Sequence, residues 1–228
     1  MESLLFFNNI SLVTCSLVVL SVYLVSSIAF GTTYSGSTIL ATPNLLNCFN
    51  TFTVFYFFVT FLLLCFDFDF TNSLTFFNQH IQLVFLLCFC FLTFVSRDFF
   101  SFRIITKFEY DILLIFVAIS SICLCFSNDF LIFYLAIELQ SLAFYVFASF
   151  QRNSDFSAES GLKYFVFGAI ISCFLLLGFV FIYLHYGTCT IETLFSLMLL
   201  ETNDSYLIGI LFLLIALLFK VGAAPFHS

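Results

Sequence analysis

Long apolar runs, cut by short clusters of charged and turn-forming residues, divide the chain into segments near residues 10–30, 49–66, 79–95, 110–127, 129–150, 161–186 and 206–226. Most approach the roughly 20 residues that a helix needs to cross about 30 Å of hydrocarbon. No stretch alternates apolar and polar positions, which argues against a β-barrel. The pattern predicts an all-α membrane protein of about seven transmembrane helices. The third segment is the weakest, being short and carrying Gln79, His80 and Gln82 at one end.

Composition agrees with this pattern. The 228 residues are 63% hydrophobic and 8% charged, too little polar surface to wrap a soluble core. The opening "MESLLFFNNI" has an acid and no basic residue ahead of its apolar stretch, so the first segment is expected to stay as a helix rather than be cleaved. There are 39 Phe and no Trp, leaving the ten Tyr to anchor the interfaces, a bias compatible with an AT-rich organellar gene. The 9 cysteines form no Cys-x-x-Cys pair. Cys88, Cys90, Cys123 and Cys125 lie inside apolar segments as small core or lipid-facing residues, and no iron–sulfur cluster or structural zinc is expected.

The basic residues set a direction. Arg97, Arg103 and Lys107 lie between the third and fourth segments, Arg152 and Lys163 between the fifth and sixth. With seven helices these connections share one side, and the other side, including "YGTCTIETLFSLMLLETNDS", has no Lys or Arg. The positive-inside rule makes the basic side the cytoplasm or a mitochondrial matrix, with the N-terminus outward and the C-terminus inward. The loop acids Asp67, Asp69, Glu192, Glu201 and Asp204 read as solvated loop ends. The triplets Asn9-Ile10-Ser11 and Asn203-Asp204-Ser205 fall on the outer side and matter only in a secretory pathway.

Glu138 and Lys220 then remain at membrane depth. A charge at the bilayer centre costs at least about 2.5 to 3.5 kcal/mol, so such residues face a protein interior or water and often mark ion pathways. In "DFLIFYLAIELQSLAFYVFASF" the helical offsets bring Tyr134, Ser141 and Tyr145 onto the face of Glu138. Lys220 shares its face with Gly209, Ala216 and Ala223 or Ala224, small residues that let another helix approach. Pro225 predicts a kink or break just past the lysine, near Gly222–Pro225, and broken helices at depth are where transporters hold ions. Lysine suits a proton carrier because burial disfavours its charged form and a nearby carboxylate restores it. An interhelical ion pair with no transport role is the bland alternative. His227, beyond the break, is either a relay or a solvent-facing terminus, and Lys163 is a snorkelling interface residue by position. His80 and His185 receive no role. No nucleotide-binding glycine motif and no paired histidines for haem or metal occur, so no cofactor and no nucleic-acid partner are expected.

The stretches "ELQSLAFYV", "GLKYF" and "FKVGAAPFH", with the sequence joining them, closely resemble the chain 2 family of mitochondrial NADH-ubiquinone oxidoreductase, respiratory complex I. The resemblance is strong from about residue 109 onward and rests on hydropathy alone before that. It implies an antiporter-like subunit of fourteen helices with two inverted five-helix repeats, each containing a broken helix. It implies that a glutamate in helix five pairs with a lysine in broken helix seven during proton translocation, the positions of Glu138 and Lys220. His227 matches the family's Pro-Phe-His after the break, and Lys163 a lysine opening helix six, so both join the proton-transfer candidates by resemblance.

Under this reading residues 1–107 hold helices one to three and residues 108–228 hold helices four to seven, an incomplete first repeat. The chain would be a proton-translocating subunit of NADH:ubiquinone reductase in the mitochondrial inner membrane, in contact with lipid and other complex I membrane subunits. NADH, FMN, iron–sulfur clusters and ubiquinone would sit in partner subunits. A second polypeptide is expected to carry the later helices. Two competing readings are a subunit of a secondary cation/proton antiporter and a structural membrane spacer with vestigial charges.

Overall fold

The structure is a computed structural model that describes residues 16–29, 43–66, 73–102, 107–151, 154–198 and 206–223. Eight helices, and no strand, are present among the described residues: α1 (Ser16–Ala29), α2 (Pro43–Phe66), α3 (Ser73–Phe102), α4 (Lys107–Cys125), α5 (Phe130–Ala148), α6 (Asp155–Tyr186), α7 (Ile191–Met198) and α8 (Leu207–Val221). Seven of them follow the seven apolar runs. The eighth, α7, is an eight-residue helix inside the polar connection that the sequence reading left without structure. By length and apolarity α5 and α6 suffice to cross a membrane. The sites expected at Asn9, Asp67, Asp69, Arg103, Arg152, Glu201, Asn203, Asp204, Pro225 and His227 lie outside the described residues.

Packing divides the chain into two compact units, Met1–Cys125 and Phe126–Ser228. This is a division by contact, which does not address the division by repeat expected at 107/108. In the first unit α2 packs on α3, and α4 on both. Phe57 stacks on Phe89 with centroids 5.9 Å apart, and Tyr23 stacks on Tyr56 at 4.1 Å. The third segment proves to be a 30-residue helix. Its buried positions Gln82, Leu86, Phe89, Thr93 and Ser96 follow the three-to-four spacing of one helical face. Hydroxyls are buried at little cost because each bonds the carbonyl one turn back: Ser27 to Leu24, Thr60 to Phe57, Thr93 to Cys90, Ser120 to Val117.

The second unit is built on α6, with α5 on one side and α8 on another. Aromatic contacts give the directions. Phe130 meets Phe179 and Tyr145 meets Tyr164, so α5 runs antiparallel to α6. Phe181 meets Phe212 and Phe167 meets Phe219, so α8 is antiparallel to α6 as well, and therefore parallel to α5. A small core of Ile171, Leu175 and Ala216, with Tyr134, Phe179, Leu213 and Phe219 packed against it, joins the three helices. The face of small residues expected on the last helix is real: Gly209 and Ala216 are buried, and their partner is α6. At the polar ends the helices are tied together. Phe130 N–H donates to the Cys189 carbonyl at 3.0 Å and Ile191 N–H to that of Asn128 at 2.9 Å. At the other end Ser157 Oγ donates to the Ala148 carbonyl at 3.0 Å.

Candidate proton-transfer site

Glu138 sits in the third turn of α5, a helix that the apolar run dictates and whose amino end is anchored by the backbone bridge at Asp129 and Thr190. Its carboxylate oxygen Oε2 is buried and makes no hydrogen bond. A buried carboxyl oxygen without a hydrogen-bond partner is costly, which marks the residue as more than packing. Around it lies the expected polar stripe, and the structure turns that stripe toward α6. Ser141 and Tyr145 are buried, Ser141 Oγ donates to the Glu138 carbonyl oxygen at 2.9 Å, and the Tyr134 hydroxyl interacts with Ser172 of α6.

Lys220 occupies the last turn of α8, half-buried, where a cation complements the exposed carbonyls at a helix end. The helix stops one residue later. Gly222 adopts the left-handed conformation with φ 72° and ψ 30°, its N–H donates to the Phe219 carbonyl at 2.9 Å, and Ala223 N–H donates to that of Leu218 at 3.0 Å. This pair of bonds is the glycine-terminated helix end in which two orphan carbonyls are capped by the chain that turns away. The helix therefore ends at Gly222, within the stretch Gly222–Pro225 where a break is expected, and Pro225 lies outside the described residues.

The fold brings Glu138 and Lys220 to one layer. Tyr134, one turn before Glu138, and Ala216, one turn before Lys220, pack in the same small core against α6, and α5 and α8 are parallel, so the next turn of each carries its charge at a similar level along α6. Lys220 feels the charge of Glu138, yet the two do not form an ion pair. An ion pair joins Lys163 Nζ and Glu159 Oε1 at 2.6 Å, with side chains 67% and 61% exposed. Lys163 does not open its helix as expected: α6 begins two turns earlier, at Asp155, and the lysine side chain is exposed. His227 lies outside the described residues.

Sequence reasoning missed Asp111, 3% exposed on α4. The signal was available. Asp111 falls in step with Leu114, Ile115, Ala118 and Ile122, all buried, so its spacing places it on the inner face of the helix even though it follows a basic loop.

Residues 127–228 match the family model described as NADH:quinone oxidoreductase/Mrp antiporter, TM. That stretch is thus similar to the antiporter-like membrane-subunit class, and the resemblance read from its motifs is borne out. More particularly, subunit N of NADH-quinone oxidoreductase from Rhodospirillum rubrum is 43% identical over 123 residues, which are 53% of this chain and 25% of that one. NADH-ubiquinone oxidoreductase chain 2 of Marchantia polymorpha is 39% identical over 137 residues, 57% of this chain and 28% of that one. The matched stretch spans about a quarter of the length of these curated relatives. In fold the chain is similar to a chain of respiratory complex I from Thermus thermophilus with bound aureothin, TM-score 0.69 at 21% identity, covering 93% of this chain and 45% of that one. It is similar also to one in the archaeal membrane-bound sulfane sulfur reductase, TM-score 0.66 at 17% identity, covering 92% and 46%.

Proposed function

We propose that this chain is a proton-translocating membrane subunit of respiratory complex I, and that Glu138 and Lys220 are the pair that passes the proton. The observation that carries the reading is a buried carboxylate oxygen with no hydrogen-bond donor, within electrostatic reach of a half-buried lysine at a helix end. A proton on Lys220 leaves both groups charged and mutually attracted. Its transfer to Glu138 leaves both neutral, which low-dielectric surroundings favour. A small change in the separation of α5 and α8 therefore decides which state is held. Lys163, exposed at the basic end of α6, would collect protons, and His227 would pass them on beyond the break.

Moving a charge against 100 mV costs about 2.3 kcal/mol, so the step must be driven from outside the chain. In this reading the drive comes from partner subunits that hold NADH, FMN, iron–sulfur clusters and ubiquinone, none of which this chain binds. The same reading places it in the mitochondrial inner membrane with its N-terminus in the intermembrane space and its C-terminus toward the matrix. The one-sided placement of five of the six Lys and Arg supports that orientation. A second reading, a subunit of a cation/proton antiporter, is kept because the matching family model covers both classes.

The test is Glu138→Gln and Lys220→Ala in the assembled complex, read by proton pumping coupled to NADH oxidation. Both are expected to assemble and to lose pumping. Normal pumping in both would overturn the proposal. Proton movement that follows an imposed cation gradient without NADH would favour the antiporter. A tagged purification with mass spectrometry identifies the partners, including any separate chain that carries later helices.

A further inference from the structure

Gln82 is 0% exposed on the inner face of α3, in line with Leu86 and Phe89. Neither atom of its side-chain amide, Nε2 or Oε1, has a hydrogen-bond partner in the chain. Among the described residues it is the one side chain with two orphaned polar atoms. The hydroxyls of the same unit behave otherwise, because Ser27, Thr60, Thr93 and Ser120 each donate to a carbonyl one turn back on their own helix. A glutamine amide offers two donors and an oxygen that accepts two bonds, and burying it unbonded is costly. Packing alone does not explain its presence, since an apolar side chain of similar volume would continue the face of Leu86 and Phe89 without that cost.

The burial decides what kind of ligand can meet this demand. With no surface exposed, the amide is beyond the reach of a lipid headgroup, a quinone or a partner's side chain. A bare cation is a poor fit, because the amide is neutral and supplies one oxygen, and no group of three His, Cys, Asp or Glu gathers among the described residues. Water fits both halves of the group, accepting from Nε2 and donating to Oε1. Globular proteins hold about one buried water per 27 residues, bonded to buried polar groups that otherwise lack partners, so a unit the size of Met1–Cys125 has room for about four or five.

We propose that the Gln82 amide is an internal water-binding site of the first unit, holding one or two waters whose remaining bonds go to the helices that cover α3. The site is independent of Glu138 and Lys220, which belong to the second unit. It makes the interior of the first unit a hydrated helix junction at this point rather than an apolar seam.

The test uses the assembled complex. A high-resolution density map is expected to show water about 2.7 to 3.2 Å from Nε2 and Oε1. Brief X-ray irradiation gives a second readout, since hydroxyl radicals made from a bound water oxidise the side chains beside it even where bulk water does not reach. Leu86, one turn from Gln82 and 0% exposed, is expected to be oxidised. Ile182, 1% exposed where α6 meets Gly209, is the dry control and is expected to stay unmarked. Gln82→Leu, which deletes the amide, is expected to abolish the mark at Leu86. An amide bonded directly to a protein group in the density map, or enclosed by carbon alone, would overturn the proposal. So would oxidation of Leu86 no greater than that of Ile182, or oxidation that persists in Gln82→Leu. Should Gln82→Leu not assemble, the density and the marking of the parental complex decide, as neither needs the variant.

Discussion

Replacing Gly178 of α6 with alanine perturbs the crossing that sets α8, and Lys220 on it, in place. A Cβ at Gly178 would stand 2.9 Å from the Gly209 carbonyl oxygen and 2.9 Å from Leu213 Cδ2, and one at Gly209 would stand 2.9 Å from Ile182 Cγ1 and 3.0 Å from the Gly178 carbonyl oxygen. Ordinary contact begins at 3.4 Å, so α8 has to withdraw by about half an ångström, because a helix carbonyl cannot swing aside. Alanine gains about 0.8 to 1.0 kcal/mol of helix propensity over glycine, against about 1 to 3 kcal/mol for overpacking. The expected net effect is a destabilisation of roughly 0 to 2 kcal/mol, seen as a lower thermal midpoint of the detergent-solubilised complex and as weaker pumping. The double variant with Gly209→Ala should cost less than the two singles together, since one retreat of α8 relieves both clashes. Val180→Ala, on the exposed side of α6, is the control. A gain of about 1 kcal/mol in Gly178→Ala, with additive singles, would mean that propensity acts unopposed and would refute the close crossing.

Further outcomes follow from the same geometry. Gly222→Ala forces a side chain into the left-handed region and is expected to cost about 1 to 2 kcal/mol, with Gly222→Asn milder; equal stabilities would show that the helix does not end there. Lys163→Ala removes an exposed i,i+4 ion pair, so assembly should be unchanged on native gels while pumping falls; unchanged pumping would remove Lys163 from the proton route. Asp111→Leu exchanges a buried acid for an apolar residue on a face otherwise made of Leu114, Ile115 and Ala118, and should reduce the yield of assembled complex. A parental yield would show that the acid's interactions are not needed for assembly.

Much of the helix plan was legible because a bilayer imposes length and apolarity directly on the sequence, and seven runs became seven helices. The spacing of Gly209, Ala216 and Lys220 likewise showed a face for close approach. It did not show which helix comes near, since the complement, Gly178, is one glycine among the eight of the chain. The helix α7 escaped because eight residues of mixed polarity do not rise above a loop pattern. Asp111 escaped because it stands at the edge of an apolar run, and only the periodicity of Leu114, Ile115, Ala118 and Ile122 places it on the buried face. At the site, Glu138 stood out as a lone charge in an apolar run. The contact of Tyr145 with Gly168 did not, because it depends on the register between two helices, which neither helix encodes by itself.

The ties at both ends of α5 and α6 bear on how this chain reaches the membrane at all. Backbone bonds at Phe130 and Ile191 join the helices at one end, and Ser157 with the Ala148 carbonyl joins them at the other. Alone, α5 must carry a carboxylate into lipid at a cost of about 2.5 to 3.5 kcal/mol. Fastened to the longer and more apolar α6, it can enter as one arm of a hairpin whose other arm supplies the driving force. Biogenesis would then favour a paired insertion, with the acid shielded against its neighbour before α8 arrives with the lysine.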